Sequence, residues 1–218
     1  VTNLVVRGNR LENLEGASGM RFGASNANLT IENNILRRLG RTGIYMGGVT
    51  GAVVRGNILS EMLGVHGNGM SYYETNSNIT VTGNCVFGTT RPLTFYGSGT
   101  DGVVNNLKFT GNIFVTSDTG RSAVYSWGST TRTVLFDNNY ALGTRAGFIL
   151  NASDLDVTAN RNRTAGLLIS GSADTTPSGW TLTGNDNTAS YDDAASATLS
   201  TSYCSAAGVR GQLTIGVA

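Results

Sequence analysis

The chain has 218 residues, enough for one sizeable hydrophobic core, and 39% of them are hydrophobic. Its 15 basic and 14 acidic side chains give a net charge of +1, and such an even balance argues against non-specific binding to nucleic acid, which needs a basic surface. No apolar run approaches the roughly 18 residues of a membrane-spanning helix, so no membrane partner is expected. The two cysteines, Cys85 and Cys204, indicate neither a disulfide framework nor a zinc site, and free thiols are the simplest interpretation.

A repeated segment runs along most of the chain. Each copy has the form apolar-x-apolar-x-(Gly or Asn)-Asn-x-apolar, and the mean spacing is about 25 residues. In chain order the eight copies read LVVRGNRL, LTIENNIL, AVVRGNIL, ITVTGNCV, LKFTGNIF, VLFDNNYA, LDVTANRN and WTLTGNDN. Their last Asn falls at Asn9, Asn34, Asn57, Asn84, Asn112, Asn139, Asn160 and Asn185.

Each copy predicts a strand, a sharp corner and a second strand. In the first copy, Leu4 and Val6 alternate with other residues, and this period of two indicates a strand with one buried face. The residue before the Asn is Gly in five copies and Asn in two, and both types suit a bend with positive φ. Apolar residues such as Leu11 follow the corner and predict the second strand.

A third short strand follows at a looser offset. Its candidates start at Gly19, Gly43, Gly69, Pro92, Ala123, Gly147 and Gly166. Three strands per turn of about 25 residues predict a coil whose successive turns pair in parallel, about 4.8 Å apart. The corner Asn side chains are then expected to stack as a ladder along the coil.

This pattern resembles that of the right-handed parallel β-helix superfamily, which has the pectate-lyase-like fold. The likeness covers about residues 1–190 and rests on the recurring I-x-V-x-x-N-x-I … G-I-x-L pattern. It implies an all-β, single-stranded parallel β-helix of about eight turns. Leucine-rich repeats lack this corner, and the hexapeptide period of left-handed β-helices is absent.

The two ends of the chain depart from the repeat. Val1 lies in the middle of a first-turn strand, so we expect preceding sequence or another chain to cover that end of the coil. Residues 191–218 break the rhythm and are expected to form a C-terminal cap or assembly segment of the same domain.

The outward side chains of the third strand suggest a binding surface. Alternation places outside the coil Arg21, Tyr45, Ser71, Tyr73, Thr94, Tyr96, Tyr125 and Trp127. Exposed aromatic clusters mark binding surfaces, and flat rings stack on sugars. In the superfamily that the chain resembles, this sheet and its flanking loops form a polysaccharide cleft. The alternative is that loops cover the rings or that they simply decorate the sheet.

Loops beside the third strand supply polar candidates. The only histidine, His66, lies in a glycine-flanked loop and is a candidate general acid or base, the alternative being a turn histidine bonded to backbone. The predicted catalytic residues are His66, Tyr73, Arg41 and Glu74. The predicted substrate-binding residues are Arg21, Tyr45, Tyr96, Tyr125, Trp127, Asp101 and Arg121.

The candidate residues can be matched to two kinds of polysaccharide cleavage, by a lyase or by a glycoside hydrolase. A lyase acting on a uronic-acid polymer needs a base for the C5 proton and a cation to stabilise the carbanion. In the superfamily that the chain resembles, relatives hold Ca²⁺ with clustered carboxylates or use a Lys and Arg pair. Here the only lysine, Lys108, is predicted on a different strand, and no three carboxylates gather near the aromatic side chains. We therefore predict no cofactor, with Ca²⁺ as the alternative. A metal-free lyase would use His66 or Tyr73 as the base and Arg41 or Arg21 to neutralise the developing charge. A glycoside hydrolase needs two carboxylates, and Glu74 and Asp101 are the candidate pair.

Three functions remain open from the sequence. The leading one is an extracellular or cell-surface enzyme that acts on a polysaccharide, a lyase more than a hydrolase. The second is a non-catalytic glycan-binding or adhesive coil, or part of a viral tail spike, which would be a homotrimer rather than a monomer. The third is a structural module whose activity lies in sequence outside this chain.

Overall fold

The computed structural model describes residues 1–96, 105–116, 118, 120–127, 133–142, 146–151, 156–164, 168–169 and 180–186. Asp101 and the predicted cap, 191–218, lie outside the described residues. Within these ranges the regular structure consists entirely of strands, and no helix could cross a membrane.

The strands come in sets of three, one set per turn of the coil. The first five turns comprise β1 (Val5–Arg7), β2 (Arg10–Leu14), β3 (Met20–Phe22); β4 (Ala27–Glu32), β5 (Ile35–Leu39), β6 (Ile44–Gly47); β7 (Thr50–Arg55), β8 (Ile58–Met62), β9 (Asn68–Tyr73); β10 (Ser77–Thr82), β11 (Cys85–Thr89), β12 (Arg91–Tyr96); and β13 (Asn105–Thr110), β14 (Ile113–Thr116), β15 (Ser122–Trp127). The later turns comprise β16 (Val134–Asp137), β17 (Tyr140–Leu142), β18 (Ala146–Asn151); β19 (Val157–Asn160), β20 (Arg163–Thr164), β21 (Leu168–Ile169); and β22 (Thr181–Thr183).

The strands form three parallel sheets that run along the coil. The first sheet has the order β1-β4-β7-β10-β13-β16-β19-β22, the second β2-β5-β8-β11-β14-β17-β20, and the third β3-β6-β9-β12-β15-β18-β21. The predicted parallel solenoid is therefore confirmed. The predicted count of about eight turns is too high, because in the described residues the eighth turn contributes β22 alone and the seventh has strands of two residues in two sheets.

The hydrophobic core fills the interior of the coil. Inward residues at equivalent positions stack in register, as Val81, Phe109 and Phe136 do in the first sheet. The rings of Phe109 and Phe136 are stacked with their centroids 5.2 Å apart. The ring centroid of Phe95, in the third sheet, lies 6.0 Å from that of Phe109. These side chains are fully buried, so the alternation seen in the sequence corresponds to one buried face per sheet.

A ladder of Asn side chains lines the corner between the first and second sheets. Asn84 is representative: its Nδ2 donates to Oδ1 of Asn112 at 2.9 Å and to the Val54 carbonyl oxygen at 2.9 Å, while its Oδ1 accepts from the backbone N–H of Asn57 at 2.9 Å. The ladder continues through every turn from Asn9 to Asn185. Each buried amide is thereby satisfied by the turns above and below it.

One rung differs from the sequence prediction. The ladder residue of the seventh turn is Asn162, which accepts from the backbone N–H and the side chain of Asn139, and the prediction of Asn160 is wrong. The reason is strand register, because Val157 pairs with Val134 and places Asn160 beside Asp137 at the end of the strand.

The residue before each ladder Asn has the left-handed backbone conformation that the Gly and Asn preference predicts. Its φ lies between 52° and 67° at Gly8, Asn33, Gly56, Gly83, Gly111, Asn138, Arg161 and Gly184. The corner is thus confirmed, and at Arg161 it is formed by a residue type that adopts positive φ less readily.

Cys85 begins β11 and is fully buried, where it packs as a small apolar side chain. It is disulfide-bonded, so the free-thiol interpretation is wrong for this residue. The only other cysteine of the sequence, Cys204, lies outside the described residues.

Candidate functional site

A groove of about 680 Å³ lies on the outer face of the third sheet, between this face and the loops that lead into its strands. It extends from the first turn to the fifth. Its lining residues are Ser18, Arg21, Arg41, Thr42, Tyr45, Gly64, Val65, His66, Asn68, Tyr73, Thr90, Arg91 and Arg121.

Strand register places the outward side chains of this sheet in two parallel rows. The first row runs Arg21, Tyr45, Ser71, Thr94 and Tyr125. The second row runs Gly47, Tyr73 and Tyr96, and the backbone of Trp127 pairs at the next position along it. The predicted aromatic stripe is therefore split between two rows, because Tyr45 pairs with Ser71 and Tyr125 with Thr94, whereas Tyr73 and Tyr96 pair with each other two residues further along their strands.

The tyrosine rings pack against one another edge to face. The centroids of Tyr45 and Tyr73 are 5.6 Å apart at an interplanar angle of 72°, and those of Tyr73 and Tyr96 are 6.0 Å apart at 86°. All three residues are half-buried. The hydroxyl groups of Tyr73 and Thr94 lie 3.3 Å apart, and Thr94 is fully buried although it lies on the outer face of the sheet. The surface consequently presents ring edges and hydroxyl groups rather than a flat platform.

Two arginines of the groove lie over tyrosine rings. The Cζ of Arg21 is 4.8 Å from the ring centroid of Tyr45, and the Cζ of Arg91 is 4.1 Å from that of Tyr125. Both distances are within the range of cation–π interactions. Stacking in this way holds a planar guanidinium in a defined orientation at the groove wall.

Arg91 is a groove residue that the sequence prediction missed. It is the first residue of β12 and stands directly before Pro92. Burial, and next the positive charge of Arg121, lower the pKa of the Arg91 guanidinium from its ordinary value. The sequence signal was weak, because nothing local distinguishes an arginine at a strand start from a solvated charge.

His66 is held at the groove by its loop. Its backbone has a φ of 60°, and its carbonyl oxygen accepts from the N–H of Asn68 at 2.7 Å and from Oγ1 of Thr42 at 3.4 Å. A Cβ at Gly64 would lie 1.8 Å from the Gly40 carbonyl oxygen, so glycine permits the loop to lie directly on the preceding turn. His66 is thus a turn histidine by its backbone, while its exposed side chain lines the groove.

Glu74 lies beside the groove rather than in its lining. The Tyr45 hydroxyl donates to Oε1 of Glu74 across 3.5 Å, a long hydrogen bond. Burial, and next the negative charge of Glu74, raise the pKa of Tyr45 above its ordinary value. Tyr45 therefore keeps its proton at neutral pH.

The predicted site residues are brought together only in part. Three of the four predicted catalytic residues, His66, Tyr73 and Arg41, line the groove. Of the predicted binding residues, Arg21, Tyr45 and Arg121 line it, while Tyr96 and Tyr125 contact its lining. Asp101 and the side chain of Trp127 lie outside the described part of the structure.

Acidic side chains are scarce at this surface. The described groove lining contains four arginines and no Asp or Glu. Among the described residues, no three His, Cys, Asp or Glu side chains lie close enough together to hold a metal ion. The Glu74 and Asp101 pair that a hydrolase would need cannot be assembled from the described side chains, since Asp101 is not one of them.

Comparison with protein families identifies the fold family. The model of the right-handed β-helix region matches residues 1–141 of the sequence. The chain belongs to the right-handed β-helix family. The match covers the turns that build the groove, so the handedness expected from the sequence resemblance is confirmed for this β-helix.

A solved structure with a similar fold is the catalytic unit of a thermostable GH87 alpha-1,3-glucanase from Streptomyces thermodiastaticus strain HF3-3. The TM-score is 0.53 at 17% sequence identity, and the alignment covers 85% of this β-helix chain and 44% of the glucanase chain. The β-helix chain thus spans less than half of the glucanase unit, and at this identity the likeness concerns the fold. No curated protein matches the sequence.

Proposed function

We propose that this β-helix protein is a carbohydrate-active enzyme that binds an acidic polysaccharide in the groove and cleaves it by β-elimination. The observation that carries the proposal is the composition of the described lining: four arginines, His66 and two tyrosines, without Asp or Glu. A β-elimination needs a base and a cationic group, whereas glycoside hydrolysis needs two carboxylates at the scissile bond. The lining therefore favours the lyase over the hydrolase.

The groove residues divide by the chemistry that each can perform. His66 or Tyr73 takes the C5 proton of a uronate, and Arg41 neutralises the charge that develops on its carboxylate. The C5–H and C4–O bonds break, a C4=C5 double bond forms, and the leaving oxygen takes a proton from whichever of His66 and Tyr73 is not the base. Tyr45 does not serve as this base, because its raised pKa keeps the hydroxyl protonated as a hydrogen-bond donor.

Separate substitutions His66→Ala and Tyr73→Phe test the assignment. Product formation is followed by the ultraviolet absorbance of the unsaturated uronate on a panel of acidic polysaccharides. We expect each substitution to lower kcat by about 10²-fold or more, as loss of a general acid or base does. Lys108→Gln is the control, because Lys108 lies on β13 in the first sheet and its loss leaves the groove unchanged.

The same assay separates the remaining functions. Full activity in both groove variants would contradict the site assignment. Release of new reducing ends without unsaturated product would favour a glycoside hydrolase, the activity class of the glucanase with the similar fold. Binding of a glycan without any turnover would favour a non-catalytic glycan-binding or tail-spike module.

We also propose an extracellular or cell-surface location. A polysaccharide substrate supports it, and so does the disulfide at Cys85, because disulfides persist mainly in oxidising compartments. Light scattering of the purified chain distinguishes the monomer that we propose from the homotrimer of the tail-spike alternative. Activity that persists in a chelator would support the prediction that no Ca²⁺ is needed, and loss of activity that Ca²⁺ restores would contradict it.

A further inference from the structure

Two arginines from successive turns meet at the far end of the groove. Arg91 begins β12, and Arg121 directly precedes β15, which pairs with β12 in the third sheet. The Arg91 guanidinium lies over the ring of Tyr125, with Cζ 4.1 Å from the centroid. The lining of the groove includes both arginines.

The positive charge at this end is only partly compensated. Arg121 forms an ion pair with Asp118, with Nε 3.3 Å from Oδ2. Arg91 forms no ion pair with any described residue, and its Nε is buried without a hydrogen-bond partner there. Burial, and next the nearby charge of Arg121, lower the pKa of Arg91, and Tyr125, Tyr73 and Asp118 oppose this shift only in part. An anion bound between the two guanidinium groups would relieve this repulsion.

We infer that Arg91 and Arg121, with the Tyr125 ring beneath Arg91, form a subsite for an oxyanion group of the glycan, a carboxylate or a sulfate ester. A guanidinium presents parallel N–H donors that match two oxygens of such a group. Tyr125 fixes the plane of one guanidinium, so the donor direction exists before the ligand arrives. This inference rests on the proposed function for the identity of the ligand as a glycan.

The position of the subsite adds a requirement on the substrate. Arg41 lies just before β6, and Arg91 begins β12 two turns further along the third sheet. Adjacent turns are about 4.8 Å apart, so the two arginines are separated by about 10 Å along the coil. A glycan that binds Arg41 and Arg91 at the same time must carry acidic groups no more than about 10 Å apart along its chain. The subsite therefore selects polymers with densely repeated acidic groups over polymers whose acidic sugars are isolated.

Binding measurements on the full chain test the subsite. The probes are an oligogalacturonate, a sulfated galactan oligosaccharide that carries no carboxylate, and a neutral maltooligosaccharide of the same length, titrated by calorimetry at about 0.15 M salt. We expect Arg91→Gln to weaken binding of the preferred acidic oligosaccharide by about tenfold or more, the usual consequence of losing a charged hydrogen bond. Arg91→Lys keeps the charge but loses the planar donor pair, so we expect partial loss.

Lys108→Gln is the matched control, since it removes one positive charge from a different sheet. It should change acidic-glycan binding by less than about twofold, because screening weakens a distant exposed charge. The maltooligosaccharide should not distinguish the variants. The acidic probe that loses more affinity in Arg91→Gln identifies the bound group as a carboxylate or a sulfate.

Two outcomes would overturn the inference. Equal losses in Arg91→Gln and Lys108→Gln would remove the subsite while leaving the proposed lyase activity intact, because turnover depends on His66 and Tyr73. Failure of the unsubstituted protein to bind either acidic probe would overturn both the subsite and the proposed function. Melting curves of each variant verify that the fold is retained.

Discussion

Replacement of a central ladder residue, Asn84→Ala, tests the source of the coil's stability. The Asn84 side chain is fully buried and takes part in five hydrogen bonds. Its loss leaves the backbone N–H of Asn57 without the acceptor that it has at 2.9 Å. It also removes the donor that lies 2.9 Å from the Val54 carbonyl oxygen.

The expected cost follows from these contacts. A buried donor without a partner costs about 1–3 kcal/mol, and each further lost hydrogen bond costs about 0.5–1.5 kcal/mol. The two hydrogens of the Asn84 Nδ2 can serve only two of its three acceptors, so one such donor and three further full bonds are lost. We therefore expect Asn84→Ala to lower the free energy of unfolding by about 5 kcal/mol. This is a large share of the ordinary stability of a domain, about 5–15 kcal/mol.

Asn9→Ala is the control at the exposed end of the same ladder. The Asn9 side chain donates to Oδ1 of Asn34 at 3.0 Å and to the Arg7 carbonyl oxygen at 3.2 Å, and water can replace both bonds. We expect a loss of about 1 kcal/mol or less. Urea denaturation followed by circular dichroism measures both variants, and hydrogen exchange reports the amide of Asn57.

The isosteric variant Asn84→Asp sharpens the test. One carboxylate oxygen still accepts a hydrogen bond from the backbone N–H of Asn57. The other takes the place of the Nδ2 donor, so two oxygen acceptors, this one and Oδ1 of Asn112, face each other. A buried carboxylate without a cation has a raised pKa, so the folded protein binds the extra proton and its stability should increase as the pH falls. Similar stability losses for Asn84→Ala and Asn9→Ala, or full protection of the Asn57 amide in Asn84→Ala, would refute this account of the ladder.

Two further predictions concern the ion pairs of the first sheet and the disulfide. Glu32 is buried between Arg55 and Arg7 and forms an ion pair with each. The hydrogen bond from Arg55 lowers the pKa of Glu32 below the ordinary 4.5; burial opposes this shift, and the hydrogen bond from Arg7 adds to it. The stabilising contribution of Glu32 is therefore complete above pH 4.5 and is lost as the pH falls through the folded-state pKa. The difference in melting temperature between the protein and Glu32→Gln should shrink in that range, and a constant difference from pH 7 to pH 3 would contradict the prediction. Because Cys85 is disulfide-bonded, iodoacetamide should add mass to the unfolded chain only after reduction, and labelling of Cys85 without a reductant would contradict the assignment.

The corner and the strands were predictable because the repeat encodes them locally. A Gly or Asn adopts positive φ more readily than other residues, and alternation of apolar residues identifies the buried face of each strand. In the segment Asn160-Arg161-Asn162, the sequence prediction chose Asn160, but Asn162 is the ladder residue. The choice of Asn162 depends on the pairing of Val157 with Val134, which no local pattern reveals.

The site was less predictable, because its geometry depends on register between turns of unequal length. Alternation identified Tyr45 and Tyr73 as outward residues, but their placement in different rows follows from the pairing of β6 with β9. The Arg91 guanidinium stacks on Tyr125, 34 positions later in the chain, and lies near the charge of Arg121 in the next turn. Neither neighbour can be identified from the residues next to Arg91 in the sequence.

The repeat in the amino-acid sequence was thus sufficient to specify a parallel coil with an internal Asn ladder, because each strand and corner arises from the preferences of adjacent residues. The contents of the groove required the folded molecule. Arginines and tyrosines that are distant along the chain become neighbours only when the turns stack about 4.8 Å apart, and the connecting segments decide which of them meet.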